Sequence, residues 1–175
     1  MAAPEAQLLA AQTGRGVTRI SADPDLLMPA AETLGEVMAL TRVDACVHEK
    51  VGTYSDYHPG AHAAMTLAKN IDLRIFPSHW VHAFAVETET EQGPRRSLQI
   101  FDAAGDAVHK IHLRDGSTHD AWGTIVADLA DQPGRLRHGP AAHRFAGAMH
   151  RFPVAADEIM PVGQGQAVPT QPVGA

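Results

Sequence analysis

Ile71-Asp72-Leu73-Arg74-Ile75-Phe76, followed by Trp80, is the stretch whose reading decides the fold. Its aliphatic residues recur at every second position. In an extended chain successive side chains point to opposite faces, so Ile71, Leu73 and Ile75 line one side and Asp72, Arg74 and Phe76 the other. The first face reads as core. The second sets a guanidinium beside an aromatic ring, a pairing suited to a flat, apolar ligand that bears carboxylates.

Outward from this strand the same period dominates. Residues 35–43 place Val37, Ala39, Thr41 and Val43 on one face and Glu36, Met38, Leu40 and Arg42 on the other. Residues 45–54 read as their hairpin partner, with the turn at Val43-Asp44. Further strands are expected at 63–67, 71–76, 79–87, 95–101 and 107–113, making a meander of seven. Gly93 and Gly105 fall between strand-forming runs, where a turn needs positive φ. Helical spacing is confined to the flanks: 4–11, stopped by Thr13-Gly14-Arg15-Gly16; 25–32, with Asp23 or Pro24 at its start; and 117–130. In the last, Ala121, Trp122, Ile125, Val126 and Leu129 form one apolar stripe behind a Ser117 or Thr118 N-cap.

The expected fold class is therefore α+β, a large antiparallel β-sheet with helices packed at its ends and on one face. Residues 1–132 read as a single domain. Residues 133–175 read as a short helix at 141–149 and a Pro/Gly-rich tail, with too little apolar material to offset the entropy of ordering.

A chain of 175 residues, 45% of them hydrophobic, suffices for one core. Its net charge of −6, with both signs interspersed, leaves no basic footprint and argues against nucleic acid or an anionic membrane as partner. The single cysteine, Cys46, excludes an internal disulfide and a four-cysteine zinc site. It suits a reducing compartment, so the expected location is cytoplasmic. Residues 1–11 contain Glu5 and no basic lead into a long apolar stretch, unlike a secretory signal. No run approaches the roughly 18 apolar residues of a membrane span.

Eleven histidines raise the question of a metal. His79/His82 and His109/His112 are three residues apart, so in a strand each pair points to opposite faces and cannot chelate one ion. His58-Pro59-Gly60-Ala61-His62 lacks an obvious third ligand, and Pro-Gly forbids a helical i,i+4 pair. His48 differs in its setting: in a strand it shares a face with Cys46 and Lys50, an imidazole beside a cation. Arg74 taken alone reads as a salt-bridge partner of Asp72 or another carboxylate. The chain has no nucleophile elbow, P-loop, dinucleotide fingerprint or His-Glu-x-x-His motif.

Four segments taken together carry a resemblance. They are Leu34-Gly35-Glu36-Val37-Met38-Ala39-Leu40-Thr41-Arg42; 45–54 with Val47-His48-Glu49; 71–76 with Trp80; and Ser97-Leu98-Gln99-Ile100-Phe101-Asp102-Ala103-Ala104-Gly105-Asp106-Ala107-Val108-His109-Lys110. In this order and spacing the chain resembles the cytosolic hemin-degrading and haem-trafficking proteins of the HemS/ChuS/ChuX family. The likeness runs over 5–130 and matches the first of the two repeats that HemS/ChuS-type members carry.

The resemblance implies haem as ligand or substrate. It makes His48 the iron ligand, because it matches the family's Val-His-Glu position and imidazole is a good axial donor. Arg74 matches the family's cleft arginine, which holds a propionate or orients a water over the iron, and so is the candidate catalytic residue. Phe76 matches an aromatic that packs on the macrocycle, and Trp80 follows in the same segment. Two departures stand out. HemS/ChuS-type members close their cleft between two halves, whereas this chain carries one, and Ile100 replaces an aromatic often found before Phe-Asp. A homodimer would restore a two-repeat arrangement.

The implied function is a carrier in haem uptake and iron utilisation, delivering to a downstream acceptor. The alternative is oxygenase-like ring opening fed by an outside electron donor, since no flavin or nicotinamide motif is present. A third reading is an interaction module that keeps the sheet without the site.

Overall fold

In the computed structural model, which describes residues 3–43 and 45–130, the chain runs α1 (Glu5–Ala10), β1 (Val17–Ile20), α2 (Pro24–Glu32), β2 (Gly35–Val43), β3 (Cys46–Gly52), β4 (Tyr57–His58), β5 (Ala64–Leu67), β6 (Asp72–Ile75), β7 (His82–Thr88), β8 (Arg95–Phe101), β9 (Ala107–Ser117) and α3 (Trp122–Leu129). The helix expected at 141–149 and the tail lie outside the described residues. A six-stranded antiparallel sheet has the order β1-β7-β8-β9-β2-β3, and a three-stranded sheet the order β4-β5-β6. The expected meander of seven is thus divided. β7, β8 and β9 do form a meander and β2-β3 a hairpin, but β5 and β6 leave for the small sheet. Alternation dictates which face of a strand is buried, not which neighbour supplies its hydrogen bonds.

The core lies on one face of the large sheet. Val37 and Ala39 of β2, Ala83 and Ala85 of β7, Leu98 and Ile100 of β8 and Ile111 of β9 point into it. Leu27 and Met28 of α2, and Trp122, Ile125 and Leu129 of α3, close over this layer, so the expected α3 stripe is the face that packs. Ala64 and Ile75 of the small sheet, with Ile71, join the same cluster. On the reverse face Phe84 and Phe101 meet edge-on and are sealed by Val17 and by Ala6 of α1. α2 starts as its sequence predicts, with Asp23 accepting from the Asp25 N–H at 3.0 Å and Pro24 at the first helical position.

Three boundaries differ from the sequence reading. β1 is an additional edge strand, admitted by Gly16 at φ +76°, where a Cβ would fall 2.3 Å from the Glu87 carbonyl oxygen. β9 continues to Ser117 because the Ser117 hydroxyl donates to the Glu36 carbonyl and accepts from the Arg114 N–H. That hydroxyl is therefore not a helix cap, and α3 begins only at Trp122 after a 3₁₀ turn, His119–Ala121. β7 begins at His82 rather than 79, because Pro77–His79 form another 3₁₀ turn.

Leu98 is fully buried at the centre of the core face, whereas Leu8 of α1 is 53% exposed. Leu98→Ala is expected to cost about 3–5 kcal/mol through lost burial and a residual cavity. Leu8→Ala is expected to stay within about 0.5 kcal/mol. Urea midpoints of the two variants measure the contrast.

Candidate functional site

β6 presents its two faces as the alternation requires. Ile71 and Ile75 are buried and Leu73 is half-buried, while Asp72, Arg74 and the following Phe76 are exposed. Arg74 stands across from Met65 of β5, and Met65 across from His58 of β4, so the three residues form a row on the outer face of the small sheet. Leu67 and Phe76 add apolar surface there, 45% and 52% exposed. The Arg74 guanidinium has no hydrogen-bond or ion-pair partner among the described residues, Asp72 included. His58 Nε2 lies 3.0 Å from the Asp56 carboxylate, which occupies that end of the His58-to-His62 loop.

His48 sits on a different sheet. β3 is the outer strand of the large sheet, and Cys46 through Lys50 are exposed, so the hairpin extends past the core. His48, Cys46 and Lys50 pair with Thr41, Val43 and Ala39 and share the core-side face, as the sequence predicts. The His48 imidazole has no side-chain partner among the described residues. A cross-strand row runs inward from it: His48 opposite Thr41, Thr41 opposite His109, His109 opposite Ile100.

His109 is the residue that sequence reasoning missed. Its ring is buried, with Thr41 Oγ1 at 3.1 Å from Nδ1 and Tyr54 Oη at 2.7 Å from Nε2. A neutral imidazole has one donor and one acceptor nitrogen, so one hydroxyl donates to it and the other accepts from it. Burial holds the His109 pKa down at about 4, assisted by the neighbouring His112. Burial also pushes the Tyr54 hydroxyl well above its ordinary value. Trp80 stacks on the His109 ring, centroids 6.0 Å apart and planes within 15°. The signal was available: His109 shares a strand face with buried Ile111, and His112 points the other way, as the three-residue spacing requires.

Trp80 connects these regions. It closes the 3₁₀ turn that follows Phe76, donating its N–H to the Pro77 carbonyl at 3.2 Å, and it packs against the core. The structure therefore brings Arg74 and Phe76 together on one exposed face, and holds Trp80 against the row that ends in His48. At Gly52 a Cβ would lie 2.8 Å from Asn70 Cβ and 3.1 Å from Ile71 Cγ1, so β3 touches the start of β6 there. His48 lies four residues back along β3 from that contact, about 13 Å at the usual strand rise. Among the described residues no group of three His, Cys, Asp or Glu is placed to hold a metal ion, and no helix is long and apolar enough to cross a membrane.

A six-stranded antiparallel sheet with a small three-stranded sheet beside it and helices packed on its core face defines an α+β domain. The chain belongs to the haemin-degrading HemS.ChuX domain family, whose model matches residues 2–129. It is 38% identical over 130 residues to the hemin transport protein HmuS of Yersinia pestis, covering 74% of this chain and 38% of that one. Among solved structures it is similar to holo-PhuS, a heme-binding protein from Pseudomonas aeruginosa, with TM-score 0.72 and 35% identity over 85% of this chain and 44% of that one. It is also similar to ChuS, an E. coli heme oxygenase, with TM-score 0.68 and 32% identity over 74% of this chain and 40% of that one. The chain thus spans less than half the length of these relatives.

The His109 pKa lies below the roughly 6.5 of an unfolded histidine, so between those values the unfolded chain binds the extra proton. Stability from this site is complete above pH 6.5 and is lost as pH falls towards 4, a change of roughly 3 kcal/mol. Urea unfolding between pH 7 and pH 4 is expected to show this loss in the native chain and a smaller one in His109→Gln.

Proposed function

We propose that this chain is a haem-binding domain of haem uptake and iron utilisation, acting in the cytoplasm as a carrier that passes haem to a downstream acceptor. His48 ligates the iron, Arg74 pairs with a propionate or holds a water over the metal, and Phe76 and Trp80 pack along the ring. The observation that carries this reading is Arg74 beside Phe76 on an exposed face, the guanidinium without a protein partner among the described residues. The heme-binding and hemin-transport relatives support the choice of ligand. A flat dicarboxylate with an apolar body matches both the cation and the ring. Haem supplies the redox-active iron; the chain supplies an imidazole, a cation for the carboxylates and apolar contact.

Two extensions follow from the same site. Oxidative ring opening, supported by the similarity to the heme oxygenase ChuS, would use Arg74 as its water-orienting residue and an external electron donor. A homodimer would close the exposed surface with a second copy, and β3, exposed on both faces at the margin of the large sheet, supports such pairing.

Titration with hemin is expected to give a saturable Soret shift. His48→Ala should change its position and weaken binding, and Arg74→Ala should weaken binding about tenfold, the scale of one charge-assisted hydrogen bond. A native chain without a Soret shift would leave the interaction-module reading in its place. Ascorbate added to the complex in the presence of catalase separates the two active readings: a stable Soret band means carriage, its loss means turnover.

A further inference from the structure

The face of the large sheet opposite His48 carries a second constellation, unrelated to Arg74. There β9, β2 and β3 lie side by side, with Leu40 flanked by Lys110 on one strand and Glu49 on the other, and Arg42 opposite Val47. Between them opens a cavity of about 520 Å³, within the usual range for small-molecule sites. None of His48, Arg74, Phe76 or Trp80 lines it. Its lining mixes charged groups, Arg42, Glu49 and Lys110, with an apolar strip made by Leu40 and by Val43 and Val47 at the hairpin end, 63% and 51% exposed. These valines and the Leu67–Phe76 surface account for four of the seven large hydrophobic residues that stand exposed among the described residues. Exposed apolar groups gathered at a concavity mark binding surface.

The cations in this cavity already hold a carboxylate. Glu5 of α1 accepts from the Lys110 ammonium and lies 3.9 Å from the Arg42 guanidinium. Lys110 is largely buried, whereas Arg42 and Glu5 are 54% and 37% exposed, so the Glu5 side chain can turn to water while α1 stays seated by Ala6. Burial and the Lys110 charge lower the His112 pKa, against a smaller opposing effect of Glu49, which leaves the ring uncharged at neutral pH. With Glu5 turned away, Arg42 and Lys110 face one anion, Glu49, and the cavity carries a single net positive charge. Gln99 of β8, directly opposite Lys110, has a buried Oε1 without a hydrogen-bond partner among the described residues.

We propose that this cavity is a binding site for an apolar monocarboxylate, with Glu5 as an internal stand-in for the ligand's head group. The ligand carboxylate takes the place of Glu5 on Arg42 and Lys110, and its hydrocarbon tail lies over Leu40 between Val43 and Val47. Glu49 disfavours a second carboxylate, which separates this ligand class from a dicarboxylate such as haem. The site is independent of the haem reading, because none of His48, Arg74, Phe76 and Trp80 lines it and its charged groups lie on the opposite sheet face.

The test is calorimetric titration of the full chain with octanoate, acetate and octylamine at neutral pH. Octanoate is expected to bind saturably, acetate to fail for want of a tail, and octylamine to fail for want of a carboxylate. Glu5→Gln removes the internal competitor and should tighten octanoate at least threefold, whereas Arg42→Gln should weaken it about tenfold. Both substitutions lie at the solvent margin, and far-ultraviolet circular dichroism checks that the sheet is intact. Octanoate binding no better than acetate, or equal affinity in the native chain, Glu5→Gln and Arg42→Gln, would overturn the assignment.

Discussion

A neutral imidazole in the middle of an apolar layer has to find both a donor and an acceptor, or its burial costs the chain about 1–3 kcal/mol for each orphaned nitrogen. His109 finds them in Thr41 and Tyr54, and the geometry of those two bonds ties together segments remote in sequence. Thr41 belongs to β2, His109 to β9 and Tyr54 to the loop leaving β3, so the triad joins the β2–β9 pairing of the large sheet to the connection that leads into the small one. Trp80 then lies flat on the same ring and sets how the chain passes from the small sheet into β7. Much of the margin on which Arg74, Phe76 and His48 are displayed is oriented from this one buried group.

The functional candidates lie where the core stops. β7 and β8 are buried on both faces by apolar residues and α1, and carry packing rather than chemistry. The β2–β3 hairpin and the outer face of the small sheet are covered on one side or neither, so some polar and charged side chains there have no side-chain partner among the described residues. His48 and Arg74 share that condition. An unpartnered imidazole and guanidinium on rigid strands are preorganised for an external ligand, because little ordering remains to be done on binding. The hairpin offers two different surfaces: an imidazole with Lys50 on one face, and on the other a cleft of mixed charged and apolar lining beside the Glu5–Lys110 pair.

What the sequence determined by itself was local and periodic. Alternation in 71–76 assigned Ile71 and Ile75 to the core and Arg74 and Phe76 to the surface, and the same rule put His48, Cys46 and Lys50 on one face. The Asp23-Pro24 start of α2 and the Trp122-Ile125-Leu129 stripe were legible for the same reason, since capping and amphipathic period depend only on near neighbours. Ordered motifs also revealed the family, because they keep their spacing whichever strands pair. The division into two sheets, the extension of β9 to Ser117, the short strands β1 and β4 and the burial of His109 were decided only in three dimensions. Each depends on a partner distant along the chain: Glu36 for Ser117, Glu87 for Gly16, Thr41 and Tyr54 for His109. A period of two states which side a residue faces, and only tertiary packing states what it meets there.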